Sequence, residues 1–153
     1  MKKVYISVVM LFMIFMLALP FITAEKNVDF VTLQENMKNF VKQDIMQEQS
    51  EEIVKKNYKI KEDLYESFMS YGPISYMNVE EITIFKQSDK QKRQQLLEKV
   101  ESHIDSQIKS FEGYGIEQTE MLKKAMVIQK QEYIICVVLP DIDAVETCLN
   151  DVF

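Results

Sequence analysis

The chain has 153 residues, with 18 Lys plus Arg against 24 Asp plus Glu, a net charge of −6 and 47% hydrophobic residues. That is the size of one globular domain, and it is too apolar for a disordered or low-complexity chain. The acidic balance, with Arg93 as the sole arginine, argues against a phosphate-neutralising surface, so no nucleic-acid partner is expected.

Met1-Lys2-Lys3 opens the chain, and Val4 to Ala24 then carries no charged residue. As a helix at about 1.5 Å per residue, this stretch reaches roughly 30 Å, the depth of a bilayer core. The two lysines predict a cytoplasmic N-terminus and export of the rest of the chain. Residues 1–24 therefore read either as a signal peptide or as an N-terminal membrane anchor. Pro20 as helix breaker and Ala24 before Glu25 favour cleavage. The long apolar run, with Ile22 where a small residue suits a cleavage site, favours retention. No cysteine lies in the segment to carry a lipoprotein acyl chain. The remainder is expected on the extracellular side of the cytoplasmic membrane, anchored or secreted, as a single α/β domain over residues 25–153.

Residues 27–69 read as helical. Thr32-x-x-Glu35 forms a capping box before Leu33, Met37, Phe40 and Val41 at helical spacing. A short helix is expected over Ser50 to Asn57. A third runs from Lys61 to Met69, with Leu64, Tyr65 and Phe68 apolar, until Tyr71-Gly72-Pro73 ends it. Residues 75–153 predict β-α-α-β-β-α. Glu81 to Lys86 is a first strand, rich in β-branched and aromatic residues. Ser88-x-x-Gln91 caps a long helix from Asp89 to Glu112, whose stripe is Leu97, Val100, Ile104, Ile108 and Phe111. Gly113-Tyr114-Gly115 stops it, and a shorter helix runs from Glu117 to Lys124. Strands over Ala125 to Lys130 and Tyr133 to Leu139 flank a tight Gln131-Glu132 turn. Asp141 or Asp143 caps a last helix after Pro140.

The third strand, Tyr133 to Leu139, is apolar on both alternating faces and belongs between the other two. The expected fold is α/β (α+β): a three-stranded antiparallel sheet of order 1-3-2, a split β-α-β with a β-hairpin and a long crossover helix. The C-terminal and N-terminal helices pack on it.

Reactive constellations are missing. Gly72, Gly113 and Gly115 are the only glycines, so no phosphate loop can be drawn; there is no C-x-x-C, H-E-x-x-H or G-x-S-x-G either. Neither catalytic nor metal-binding residues are assigned, and no cofactor. His103 falls at the edge of the long helix's stripe and reads as exposed or half-buried. Glu80-Glu81 reads as a solvated turn, and Asp141-x-Asp143-x-x-Glu146 as a helix cap with too few ligands for calcium. Lys90-Gln-Lys92-Arg93 sits in a helix's first turn, where cations are slightly unfavourable; a solvated face and a contact with an anionic envelope polymer or lipid are both open. Cys136 and Cys148 occupy apolar positions, where packing is the first expectation and a disulfide the second. Tyr58, Tyr65, Phe68, Tyr71 and Tyr76 are either core aromatics or, where exposed, a partner-binding patch.

From about Phe30 to Phe153 the chain resembles a family of small exported or lipid-anchored Gram-positive bacterial domains of unknown function. The stretches that carry the likeness are Asn78 to Lys86, Phe111-x-x-Tyr114, Ala125 to Ile128 leading into Tyr133-Ile134-Ile135, Asp143 to Phe153, and Tyr58-Lys59-Ile60. The family's pattern has Arg where His103 stands, Gly at Lys59, Pro at Ile116 and Gly at Gln131. Loss of the last glycine makes a two-residue turn with positive φ costlier, so another turn type is expected. The resemblance implies an extracytoplasmic α/β module and supplies no catalytic residues. It also suggests an accessory part in surface-polymer acylation.

The first functional expectation is a non-catalytic extracytoplasmic binding or accessory module of the bacterial cell envelope. Its partner would be an envelope protein or surface polymer, with the membrane held through residues 1–24 if they are uncleaved. The alternatives are a membrane-held regulatory or inhibitory domain, and an enzyme of unrecognised type. The last needs His103 or carboxylates converging in a pocket with shifted pKa values.

Overall fold

The computed structural model describes residues 27–153. Residues 1–24, expected as a signal peptide or membrane anchor, lie outside them, and no helix among the described residues is long and apolar enough to cross a membrane. Asp29 opens helix α1 (Phe30–Lys38) by accepting from the Val31 N–H at 3.1 Å, in place of the expected Thr32 box. Strand β1 (Met46–Glu48) comes next, then helix α2 (Glu51–Tyr58) behind its N-cap Ser50. After a 3-10 turn at Glu62–Leu64 come strands β2 (Ser67–Pro73) and β3 (Glu81–Lys86). Asp89 accepts from the Lys92 N–H at 2.8 Å and caps the long helix α3 (Lys90–Phe111). Helix α4 (Ile116–Lys123), strands β4 (Met126–Lys130) and β5 (Tyr133–Val138), and helix α5 (Ile142–Val152) complete the chain.

All strands pair antiparallel, in the order β1-β2-β3-β5-β4. This overturns the three-stranded sheet of order 1-3-2 and the wholly helical reading of 27–69. β5 does lie between β3 and β4, but the middle strand of the five is β3. The missed half has a physical cause. Leu64, Tyr65 and Phe68 are spaced as on a helix, yet Ser67 to Tyr71 pairs residue by residue with Lys86 to Ile82. In that ladder Met69 and Tyr71 turn to one face of the sheet while Phe68 turns to the other. A strand packed on both faces shows no simple alternation of apolar and polar residues.

Helices cover both faces. On one, α1 and α5 pack Leu33, Met37, Val145 and Leu149 against Ile82, Ile84, Ile135 and Val137. On the other, α2, α3 and α4 pack Val54, Leu96, Val100 and Leu122 against Phe85, Ile134 and Val138. Each fully buried aliphatic side chain stabilises the fold by roughly 1.5–3 kcal/mol. Successive β5 residues alternate between these two cores. Cys136 therefore enters the α3 side, while Cys148 packs on the opposite side. Both cysteines are free, and the Cys136–Cys148 disulfide, the second of the two expectations, does not form because the sheet stands between them.

Three departures from the resembled pattern fall on backbone positions that the pattern's residues suit. Lys59 ends α2 in the left-handed conformation, at φ 53, where Gly carries no Cβ penalty. Gln131 holds φ 51 in the β4–β5 turn, so the turn keeps its positive φ without glycine. Ile116 is the first residue of α4, the position at which proline is pre-organised.

Both the layering and the left-handed cap can be measured. Alkylation without reductant is expected to label Cys148 but not Cys136 in the native protein and both after unfolding; a mass showing one bridge refutes the layer assignment. Lys59→Gly relieves the left-handed strain and raises the unfolding free energy by about 1 kcal/mol in urea titration.

Candidate functional site

Beneath α2 and α3 the sheet carries a row of polar side chains inside the apolar core. β3 presents Glu81 and Thr83 to this layer, and Ser70 lies opposite Thr83 on β2. Cys136 lies opposite Thr83 on β5. From above, α2 lowers Val54 and Tyr58, four residues apart, and α3 lowers Leu96, Val100, His103 and Ile104. The buried face of α3 is therefore turned from the expected stripe: Leu97 and Ile108 flank it and are only partly buried. His103, seven residues after Leu96, sits within it.

The contacts converge on one carboxylate. The His103 Nε2–H donates to Glu81 Oε2 at 2.9 Å, and Thr83 Oγ1 donates to Glu81 Oε1 at 3.0 Å. The Tyr58 hydroxyl also donates to Oε1 in a short hydrogen bond. Ser70 Oγ bonds Thr83 Oγ1 at 2.7 Å and extends the chain to β2. The second imidazole nitrogen, Nδ1, faces the Asn57 carbonyl at 3.2 Å. That carbonyl belongs to the last turn of α2, where helix carbonyls lack partners and the dipole favours a cation. Tyr58 lies over the His103 ring at 4.2 Å between centroids and meets Phe85 edge-on at 5.3 Å.

Geometry sets the protonation. A backbone carbonyl only accepts and an ionised carboxylate only accepts, so His103 donates from both nitrogens as an imidazolium. Burial pulls its pKa down, but the Glu81 hydrogen bond and charge outweigh it and leave the pKa raised. Burial likewise pushes Glu81 up, and the bonds from His103, Tyr58 and Thr83 reverse this and leave it lowered. Tyr58 is held well above its ordinary value by burial first and by the neighbouring Glu81 charge. Cys136 is raised well above its own by burial and by Glu81. The cluster thus holds a buried ion pair, and no lone pair on His103 is left to take a proton from a nucleophile.

A cleft of about 350 Å³ opens over this floor, with Tyr58, Ser70, Glu81 and His103 among its lining residues. α2 and the residues after β2 supply walls, and Gly72 matters at one point: a Cβ there would stand 3.2 Å from the Gln49 side chain.

The residues singled out from sequence are dispersed. Tyr58 and Tyr65 are buried, the latter donating to Glu51 Oε1 at 2.6 Å. Phe68 and Tyr71 are half-buried on opposite faces of the sheet, and only Tyr76 is fully exposed. The five share no surface. Glu81 is a buried strand residue rather than a solvated turn, and His103 is buried rather than exposed. Their partnership had one legible trace, the Leu96-Val100-His103 spacing, and none for Glu81. Of the basic cluster, Lys92 donates to the Asp63 carbonyl and Arg93 to the Gln87 and Ser88 carbonyls. Asp141 caps α5 by accepting from the Ala144 N–H at 3.2 Å. Among the described residues no group of three His, Cys, Asp or Glu side chains could hold a metal.

The molecule is thus a three-layer α/β/α module with a polar cluster buried below a cleft. A family model described as a domain of unknown function, DUF4358, matches residues 38–139, and the chain belongs to that family. The matched span holds the whole sheet and the Tyr58, Glu81 and His103 cluster. A comparison with curated proteins and with solved structures finds no significant match.

The raised His103 and lowered Glu81 give stability a defined pH window. His103's contribution is complete below its ordinary pKa of 6.5 and is lost as pH rises through the higher folded value. Glu81's is complete above 4.5 and is lost as pH falls through its lower folded value. Thermal melts of the native protein are expected to peak between pH 4.5 and 6.5. Lys59, Tyr58 and Cys136 face the pair from α2 and β5 and leave the signs unchanged. Glu81→Gln flattens the profile and costs roughly 3–5 kcal/mol, as for breaking a buried pair; an unchanged profile refutes the ion pair.

Proposed function

We propose that the chain is a non-catalytic binding or accessory module of a bacterial cell envelope. It works on the outer face of the cytoplasmic membrane, with the cleft above Glu81 and His103 as its ligand site. One observation carries this reading: the polar atoms of the cleft floor are committed to one another. His103 donates from both nitrogens, and the hydroxyls of Tyr58, Thr83 and Ser70 are spent on Glu81 or its neighbours. Catalysis needs a base or nucleophile with a free electron pair. A pre-formed, rigid polar floor suits recognition instead. Export is supported by Lys2 and Lys3 before the uncharged Val4 to Ala24.

The test has two arms. Fractionation of expressing cells is expected to recover the protein at the membrane or in the medium, and a cytoplasmic pool refutes the envelope role. A mature N-terminus at Glu25 selects secretion, whereas retention of Val4 to Ala24 selects a membrane-held regulatory domain. Purified protein is expected to hydrolyse neither acetyl esters nor envelope polysaccharide. Turnover that His103→Gln abolishes would replace binding by catalysis.

A further inference from the structure

Above its mutually bonded floor, the cleft is lined largely by uncharged polar side chains. Gln47, Asn57, Asn78 and Gln107 are among the lining residues, and none of their four carboxamides is hydrogen-bonded to another described residue. Gln49 adds a fifth, donating to the Gln47 carbonyl at 3.2 Å. A free carboxamide offers two donor hydrogens and an acceptor oxygen. Asn78 and Gln107 are half-buried, so water satisfies them only in part and a ligand that supplies both kinds of partner gains.

Charge narrows the ligand further. Glu81 and His103 neutralise each other at 2.9 Å. Lys56 is the only other charged residue in the lining. One lysine is a weak hold for a phosphate or polyanion, which favours several cations or an arginine fork. A cation finds Glu81 already surrounded by donors. What fits is an uncharged ligand dense in groups that both donate and accept.

The lining also contains an apolar platform. Tyr76 is 99% exposed and Ile74 51%, both on the connection between β2 and β3. An aromatic ring exposed to water, beside unpaired carboxamides, matches the two sides of a sugar. The C–H face of a pyranose lies on the ring, and its hydroxyls extend to the amides. A peptide would ask for apolar pockets beneath alternate side chains, whereas the residues at the bottom of this cleft include Tyr58, Ser70, Glu81 and His103.

Resting on the binding-module reading, we propose that the cleft is a glycan site. It takes a neutral saccharide, with the ring face on Tyr76 and the hydroxyl or N-acetyl groups on Gln47, Asn57, Asn78 and Gln107.

The full chain purified from cells is titrated calorimetrically with chitotetraose, cellotetraose and maltotetraose. At least one is expected to bind saturably. Tyr76→Ala is expected to weaken it by about tenfold or more without moving the melting temperature, since the side chain is in water; Tyr76→Phe keeps the affinity. Gln107→Ala weakens it as well. Failure of all three sugars to bind, or an affinity indifferent to Tyr76→Ala, overturns the assignment. Saturable binding of a tetrapeptide pool or of glycerol phosphate oligomers in their place also overturns it, while leaving a binding module standing. New reducing ends released from a bound sugar would instead overturn the non-catalytic reading beneath it.

Discussion

The contact between Glu81 and His103 joins three elements that are distant in sequence. It ties the start of the central strand to the middle of α3, and the other nitrogen of the same imidazole ties α3 to the end of α2. Removing two charges from water costs several kcal/mol per ion. Here the cost is offset by mutual neutralisation and by donors on every side of the carboxylate: the imidazolium, a phenol and a threonine hydroxyl. An apolar pair of similar volume could be as stable. Its packing, however, would not specify which turn of α3 lies over Glu81, nor would it leave a polar floor. The ion pair joins α2 and α3 to the sheet, alongside the apolar contacts of Val54, Leu96 and Val100, at the floor of the cleft.

The sheet has the opposite task. It keeps two apolar cores apart, and its neighbouring residues report to different layers. On β3, Ile82 and Ile84 serve α1 and α5, while Glu81, Thr83 and Phe85 serve α2 and α3. One strand can therefore be fully buried and still hold a polar row on one side only. The same alternation separates Cys136 from Cys148. It also makes Cys136 a neighbour of the carboxylate, where burial and Glu81's charge both keep the thiol protonated. A cysteine so placed is a small packing group.

The resembled pattern bears on several residues that look arbitrary in isolation. The pattern's Gly at Lys59 and at Gln131 suits left-handed backbone, and its Pro at Ile116 suits a first helical residue. An arginine in place of His103 would offer the same carboxylate a permanent cation. Histidine keeps the pairing but makes it depend on pH. Lys59 and Gln131 hold left-handed backbone without glycine, with some strain accepted at both.

The periodic elements were legible from the chain alone. The helices around 51–58, 90–111, 116–123 and 142–152 and the three strands from Glu81 onward arise from local spacing, capping residues and β-branched content, which act within a few residues. β1 and β2 were not legible. One is three residues long, and the other carries side chains for two layers, so each is stabilised by partners that sequence order does not reveal. The site was hidden for the same reason. Tyr58, Glu81 and His103 are ordinary residues until β3, α2 and α3 stack, because a carboxylate loses its water only when long-range packing surrounds it. Local chemistry along the chain dictated an acidic composition with an uncharged stretch from Val4 to Ala24, most of the helices and the apolar heart of the sheet. The number of strands, the separation of the cysteines and the buried ion pair were left to the stacked layers, since each depends on contacts between segments that only folding brings together.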